Sequence, residues 1–249
     1  MKVCLDPGHG GDDSGAVANH IVEKEANLKV ALAVRAALEQ RGHEVVMTRN
    51  DDTNMQLTGR GRFSVKSKAD IFVSIHHDCS SNAGARGCSG FYYNESCVNG
   101  KDLAAQITTR LHDTWKLPYA YGTPARVHWV SLGVLRGGDN WKHTTACLVE
   151  CAMLSSATDA AMIEGTGYVA QTAQCIADGI EAHAAKEGIT TSPELADAGI
   201  VVVLGEAVVT KRGQEQDDET WVPLREVAEK LGYKVTSHIP DQGKVYLSK

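Results

Sequence analysis

The chain has 249 residues, 43% of them hydrophobic and 22% charged, with a net charge of −6 at pH 7, the balance of a soluble globular protein. That length holds one large domain, or a medium domain with a small one. No apolar run approaches the roughly 20 residues that span a bilayer, and an acidic chain without a run of Lys or Arg argues against nucleic-acid binding.

Residues 2–6, "KVCLD", read as a short strand that runs into the glycine-rich turn "PGHGG" around His9. The opening "MKVCLDPGHGG" carries one Lys and passes straight into that strand. It has no apolar h-region and no small-residue cleavage site, so no signal peptide is expected. From Glu23 to Gln40 the pattern is helical, with Val30, Ala31, Val34 and Leu38 on one face and Gly42 as the stop. "HEVVMTR" then reads as a strand, completing a β-loop-α-β start. "DIFVSIHHD", residues 70–78, is nearly continuous in apolar residues, as suits a strand covered on both faces. "GCSGFYYN" reads as a further strand, residues 101–115 as a helix, and "SLGVLRG" and "ACLVECAML" as buried strands. A long helical stretch follows, with a break near Gly165 and Gly167. Strands alternating with helices predict an α/β fold around one mostly parallel or mixed sheet.

The composition shifts near "EGITTSPELADAG". Thr190, Thr191, Ser192 and Pro193 interrupt the helical pattern as a linker would. The expected organisation is a larger domain over residues 1–188, a linker over 189–198 and a small β-β-α-β-β domain over 199–249. At about 50 residues the last is near the lower edge of what folds alone. The seven cysteines have an odd count and no regular spacing. They read as buried free thiols, with a bridge among Cys79, Cys88 and Cys97 as the alternative.

Four places carry chemistry. His9 sits in the first turn. Glu23 and Glu25 flank Lys24 at a helix start, and positions two apart on a helix diverge by roughly 200°, so only one faces the first turn. His76 and His77 are neighbours on a strand and face opposite ways, so only one points to a shared site. Glu150 interrupts an apolar strand, where a carboxylate is costly unless paired or functional. Two imidazoles, one ligating carboxylate and one free carboxylate make the set used by catalytic zinc hydrolases. Such a metal lowers the pKa of water and polarises a carbonyl, and the free carboxylate moves the proton to the leaving amine.

Residues 1–188 resemble the zinc-dependent N-acetylmuramoyl-L-alanine amidases of bacterial autolysins and phage endolysins. The resemblance is carried by "LDPGHGGDDSGA", "EKEANL", "TR" followed by "DD", "LTGRGRFSVKSKADIFVSIHHD", "GVLRG" and "CLVECAMLSSATDA", in that order. It implies one zinc ion held by His9, Glu23 and His76, with Glu150 as the catalytic acid and base. It also implies a twisted, mixed sheet flanked by helices on both faces, with the metal at the strand ends. The implied substrate is peptidoglycan, cut between N-acetylmuramic acid and L-alanine, with no nucleic-acid partner and no membrane insertion. Departures at His77 and Asp78, at Cys151, Ala152 and Met153, and at Ser64 and Val65 beside Arg60 bear on substrate preference. Substrate-binding residues are left unknown: His77 reads as a rim or packing residue, and substrate contact by His77 or Arg60 is the alternative. A chain that begins directly on a strand favours the endolysin setting, host cytoplasm and then wall, over that of an exported autolysin.

The tail is similar to the small domain named after the N-terminal domain of copper amine oxidases, through "TWVPLREVAEKLGYKV" and "KVYLS". It does not imply copper, because His238 is the sole histidine after residue 183. Binding of a wall polymer by residues 199–249 and a stabilising or dimerising role are equal expectations. Two other classes fail on sequence. A serine esterase needs a G-x-S-x-G elbow, and "GCSGF" has the wrong spacing. A P-loop enzyme needs a motif that is absent. A wall-binding module with a dead active site is opposed by the intact His9, Glu23, His76 and Glu150.

Overall fold

The computed structural model describes residues 1–82, 84–120 and 127–189 in full, and beyond them the backbone of four strands between residues 201 and 248. In chain order the elements are β1 (Lys2–Pro7), β2 (Val17–Ala18), β3 (Ile21–Val22), α1 (Glu23–Gln40), β4 (Glu44–Met47), α2 (Leu57–Lys66), β5 (Ile71–Asp78) and β6 (Ser89–Tyr92). Then follow α3 (Val98–Trp115), β7 (Val127–Trp129), α4 (Gly133–Arg136), α5 (Asn140–His143), β8 (Thr145–Met153), α6 (Ala157–Ile163) and α7 (Tyr168–Glu187). The chain divides into two compact units, a larger one of Met1–Leu38 and Glu44–Thr190 and a smaller one of Glu39–His43 and Thr191–Lys249.

The larger unit is built on a six-stranded sheet of order β4-β1-β5-β8-β6-β7. β4, β1, β5 and β8 are parallel; β6 joins β8 antiparallel, and β7 joins β6 in parallel. Alternation along the strands sorts residues to two faces. Val3, Leu5, Ile71, Val73, Ile75, Cys147 and Val149 pack with Val30, Val34 and Leu38 of α1, Leu103 and Ile107 of α3 and Ile176 and Ile180 of α7. The other face packs Cys4, Phe72, Ala146 and Leu148 with Val134 and Leu135 of α4 and Phe63 of α2. The sheet is thus mixed and flanked by helices on both faces. Among the described residues, no helix is long and apolar enough to cross a membrane.

Two expectations on the larger unit are corrected. "SLGVLRG" contains a short helix, α4, because Val134 and Leu135 are both buried under α2 rather than alternating across a sheet. α2 itself was not predicted: Gly59 and Gly61 and the two arginines of "LTGRGRFSVK" leave it without a clear apolar stripe. The helix break near Gly165 and Gly167 is present, between α6 and α7. All seven cysteines are free, so no bridge links Cys79, Cys88 and Cys97.

In the smaller unit, β9 (Val201–Leu204), β10 (Ala207–Thr210), β11 (Lys234–Ile239) and β12 (Lys244–Ser248) form one sheet of order β10-β9-β12-β11. β9 and β10 pair antiparallel, as do β11 and β12, and β12 meets β9 in parallel. The helix predicted over "VPLREVAEKLG" and the linker around Pro193 lie outside the described residues.

Candidate metal centre

Parallel α/β sheets place their ligand sites beyond the carboxyl ends of the strands. Here β1 ends at Pro7, β5 carries His76 near its end, and α1 begins at Glu23. The turn after β1 is held from both sides. Arg49 donates through Nε to Pro7 O (2.9 Å) and through Nη2 to Gly8 O (2.9 Å) and Lys24 O (2.8 Å). Arg60 donates through Nη1 to Pro7 O and through Nη2 to His9 O, both at 2.9 Å. The buried Asp6 carboxylate accepts from Arg60 Nη1 (2.9 Å) and from the hydroxyls of Thr48 and Ser74 (2.6 Å each). This pairs the Arg60 guanidinium, whose charge would otherwise be costly beneath the turn.

His9 projects from this pinned turn in the left-handed region, at φ 60°. Its Nε2 lies 3.1 Å from Glu23 Oε2, and its Nδ1 lies at an ion-pair distance of 2.9 Å from Asp13 Oδ1. His76 Nδ1 lies 2.9 Å from Glu23 Oε1. The ligand atoms of His9, Glu23 and His76 all fall within 4.8 Å of one another. Two glycines clear the space. A Cβ at Gly8 would sit 2.1 Å from His76 Cε1, and one at Gly15 would sit 2.5 Å from Glu23 Oε2 and 2.6 Å from His9 Cδ2. Glu25 is exposed while Glu23 is buried.

Glu150 on β8 is the Cα partner of His76 on β5, which puts the two side chains on one face of the sheet. The register shifts immediately after His76, a local irregularity of the kind found beside active sites. Glu150 Oε2 is enclosed and has no hydrogen-bond partner. Burial, and then the charges of Asp78 and Glu23, push the Glu150 carboxyl well above the ordinary range. Burial pushes Glu23 the same way, but its contacts with His76 and His9 override it and hold Glu23 low, hence ionised. Burial also lowers His9, and Glu23 and Asp13 reverse that to a net rise. Two imidazoles, an ionised carboxylate, a cradle that a Cβ would fill and an unpartnered carboxyl oxygen nearby fit a zinc ion with an open coordination position.

Residues 3–182 match the family described as N-acetylmuramoyl-L-alanine amidase. The chain belongs to that amidase family. It is 33% identical over 179 residues to the amidase LytC of Bacillus subtilis, covering 71% of this chain and 34% of LytC. It is 33% identical over 181 residues to the endolysin of Bacillus phage SPP1, covering 72% of this chain and 64% of the endolysin. The chain thus spans less than two thirds of either relative's length. The crystal structure of an N-acetylmuramoyl-L-alanine amidase from Clostridium difficile 630 superposes with a TM-score of 0.68 at 29% identity, covering 75% of this chain and 98% of that one.

Within this amidase fold His77 and Arg60 both lie buried, His77 as a packing residue. His77 is 1% exposed and points away from the cluster, with Nδ1 2.8 Å from Asn27 Oδ1 and Nε2 2.9 Å from Tyr168 OH. Burial lowers its pKa to about 4, so it stays neutral. Arg60 is 4% exposed, and four of its five N–H donors go to Asp6 and to the backbone of Met55, Pro7 and His9. Neither offers a free face to substrate. Asp13, in the loop after His9, lies 2.9 Å from His9 Nδ1 and also accepts from Gly15 N at 3.1 Å. Asn27 and Asp6 were missed. The signal for Asn27 was its place one helical turn after Glu23, on the same side of α1.

Proposed function

We propose that this protein cleaves the amide between N-acetylmuramic acid and the L-alanine of the stem peptide in peptidoglycan, using one zinc ion held by His9, Glu23 and His76. The observation that carries the reading is the convergence of those three side chains, with Glu150 in register beside His76. A zinc ion bound there supplies acidified water and a polarised carbonyl. Glu23, buried and ionised, offsets part of the cation's charge. Glu150 takes the proton from the attacking water and delivers it to the leaving amine. Burial raises the Glu150 carboxyl, and a higher proton affinity favours a group that must carry that proton from the water to the amine.

A phage endolysin and a bacterial wall amidase match at the same 33% identity, so the activity is proposed without a choice between those settings. Residues 1–188 are proposed to form the catalytic domain and residues 199–249 a module for a wall polymer. Mass spectrometry of digested peptidoglycan, with zinc quantified in the same sample, tests the activity. Free L-alanine amino termini on intact stem peptides are expected; new reducing sugar ends or cleaved peptide cross-links would sink the assignment. A chain ending at residue 188 should still cleave soluble muropeptides and lose binding to intact walls. Unchanged wall binding would end the module's proposed role.

A further inference from the structure

Behind the ligand cluster, buried side chains from β5, α1 and α7 form an unbroken hydrogen-bond chain. Tyr168 OH lies 2.9 Å from His77 Nε2, and His77 Nδ1 lies 2.8 Å from Asn27 Oδ1. Asn27 Nδ2 reaches Glu23 Oε1 at 3.2 Å and Gly8 O at 3.3 Å. Tyr168, His77 and Asn27 are each no more than 1% exposed.

The end of the chain fixes its direction. An ionised Glu23 and the Gly8 carbonyl can only accept, so Asn27 must turn its NH2 toward both of them. Its Oδ1 then faces His77, which must carry its proton on Nδ1. His77 Nε2 is left as an acceptor, and Tyr168 must donate to it. The reverse assignment would press Asn27 Oδ1 against two acceptors. Beyond Tyr168 on α7, Trp115 Nε1 donates to Thr172 Oγ1 at 3.1 Å. Every link points toward Glu23, so each donor is polarised by the one behind it.

We propose that Asn27, His77 and Tyr168 are positioning residues for Glu23, a one-way relay that sets the plane of the metal-ligating carboxylate. The proposal rests on the reading of Glu23 as a metal ligand. Ala16 N donates to Glu23 Oε2 at 2.8 Å, and Asn27 holds the other oxygen, so the carboxylate is clamped at both ends before any metal arrives. Partners that orient a ligand in this way are worth about 10–100-fold in metal affinity. The relay is electrically neutral, so it stiffens Glu23 without cancelling the negative charge that a cation needs. It also explains why a histidine stands at position 77: the imidazole spans from α1 to the Tyr168 hydroxyl on α7.

The test uses the full-length protein and zinc alone. Competition with a chelating dye should show zinc bound about 10–100-fold more weakly by Asn27→Ala, and about tenfold more weakly by His77→Leu, which keeps bulk but has no donor. His77→Asn, whose amide can again donate to Asn27 Oδ1, should recover most of that loss, which a merely space-filling role would not predict. Imidazole nitrogen NMR of the unaltered protein, with and without zinc, should find His77 neutral with its proton on Nδ1, and this reading survives even if a variant fails to fold. A proton on Nε2, or unchanged zinc affinity in both Asn27→Ala and His77→Leu, would overturn the relay. An unaltered protein that binds no zinc would instead remove Glu23's role as a ligand, a failure distinct from that of the tautomer result.

Discussion

The two faces of the central sheet divide the work of the larger unit. Along β1, β5 and β8 the same strand supplies both, one residue apart: Leu5 and Asp6, Ile75 and His76, Val149 and Glu150. Leu5, Ile75 and Val149 enter the apolar layer under α1, α3 and α7. Asp6, His76 and Glu150 turn to the face covered only by short helices, where buried polar groups anchor the first turn and line the site. Stability and chemistry are thus separated by a single step of the pleat. Substitutions of Leu5, Ile75 and Val149 should act on folding, and substitutions of His76 and Glu150 on reaction and metal.

The sharpest break in that contrast is His9→Ala, which should abolish both zinc binding and turnover while the thick apolar layer keeps the protein folded. Zinc stoichiometry, turnover and circular dichroism together would read it; retained zinc would remove His9 from the ligand set. Next comes Glu150→Gln, which keeps the shape and removes the proton acceptor. Turnover should fall by roughly 10² to 10⁴ with zinc content unchanged. Loss of zinc would make Glu150 a ligand, and near-full turnover would end its assigned role.

On the opposite face, Ile180→Ala on the buried side of α7 should cost about 2–5 kcal/mol of stability, read by denaturant unfolding, with little change in turnover of the folded fraction. Asp13→Ala lies on the site side yet is partly exposed. It should weaken zinc by about tenfold through the loss of its hold on His9 Nδ1, leaving the melting temperature nearly unchanged. Wild-type zinc affinity in that variant would return Asp13 to the solvent.

The smallest effect is expected far from the site. His183 is fully buried on α7, with Nδ1 2.8 Å from Asp102 Oδ2. Asp102→Ala would leave a buried nitrogen without its partner, at a cost of about 1–3 kcal/mol. Burial raises the Asp102 carboxyl, but Lys186 and His183 outweigh it and hold it below the usual range. A depressed carboxyl stabilises the fold above the ordinary carboxylate pKa and loses that contribution as pH falls through its folded value. The difference in stability between wild type and variant should therefore be full at pH 7 and shrink toward pH 3. A difference independent of pH would show that the Asp102 charge plays no part.

The sequence by itself determined the strongly periodic elements, namely β1, α1, β5, β8 and the break before α7. It also singled out every residue now found in the ligand cluster, because a histidine in a glycine turn and a carboxylate in an apolar strand are local anomalies. It left open, on the residues alone, whether Glu23 or Glu25 and whether His76 or His77 turned inward. The helix start settles the first, where the space cleared by Gly15 admits Glu23, and the register shift after His76 accompanies the second. α2 and α4 escaped because their residues answer to each other rather than to a period. Only the tertiary structure decided the supporting contacts. His77 meets Asn27 across 50 residues and Tyr168 across 91, and Arg60 meets Asp6 across 54. Periodicity reports which face of an element is buried, whereas hydrogen bonds between distant elements depend on how those faces are brought together.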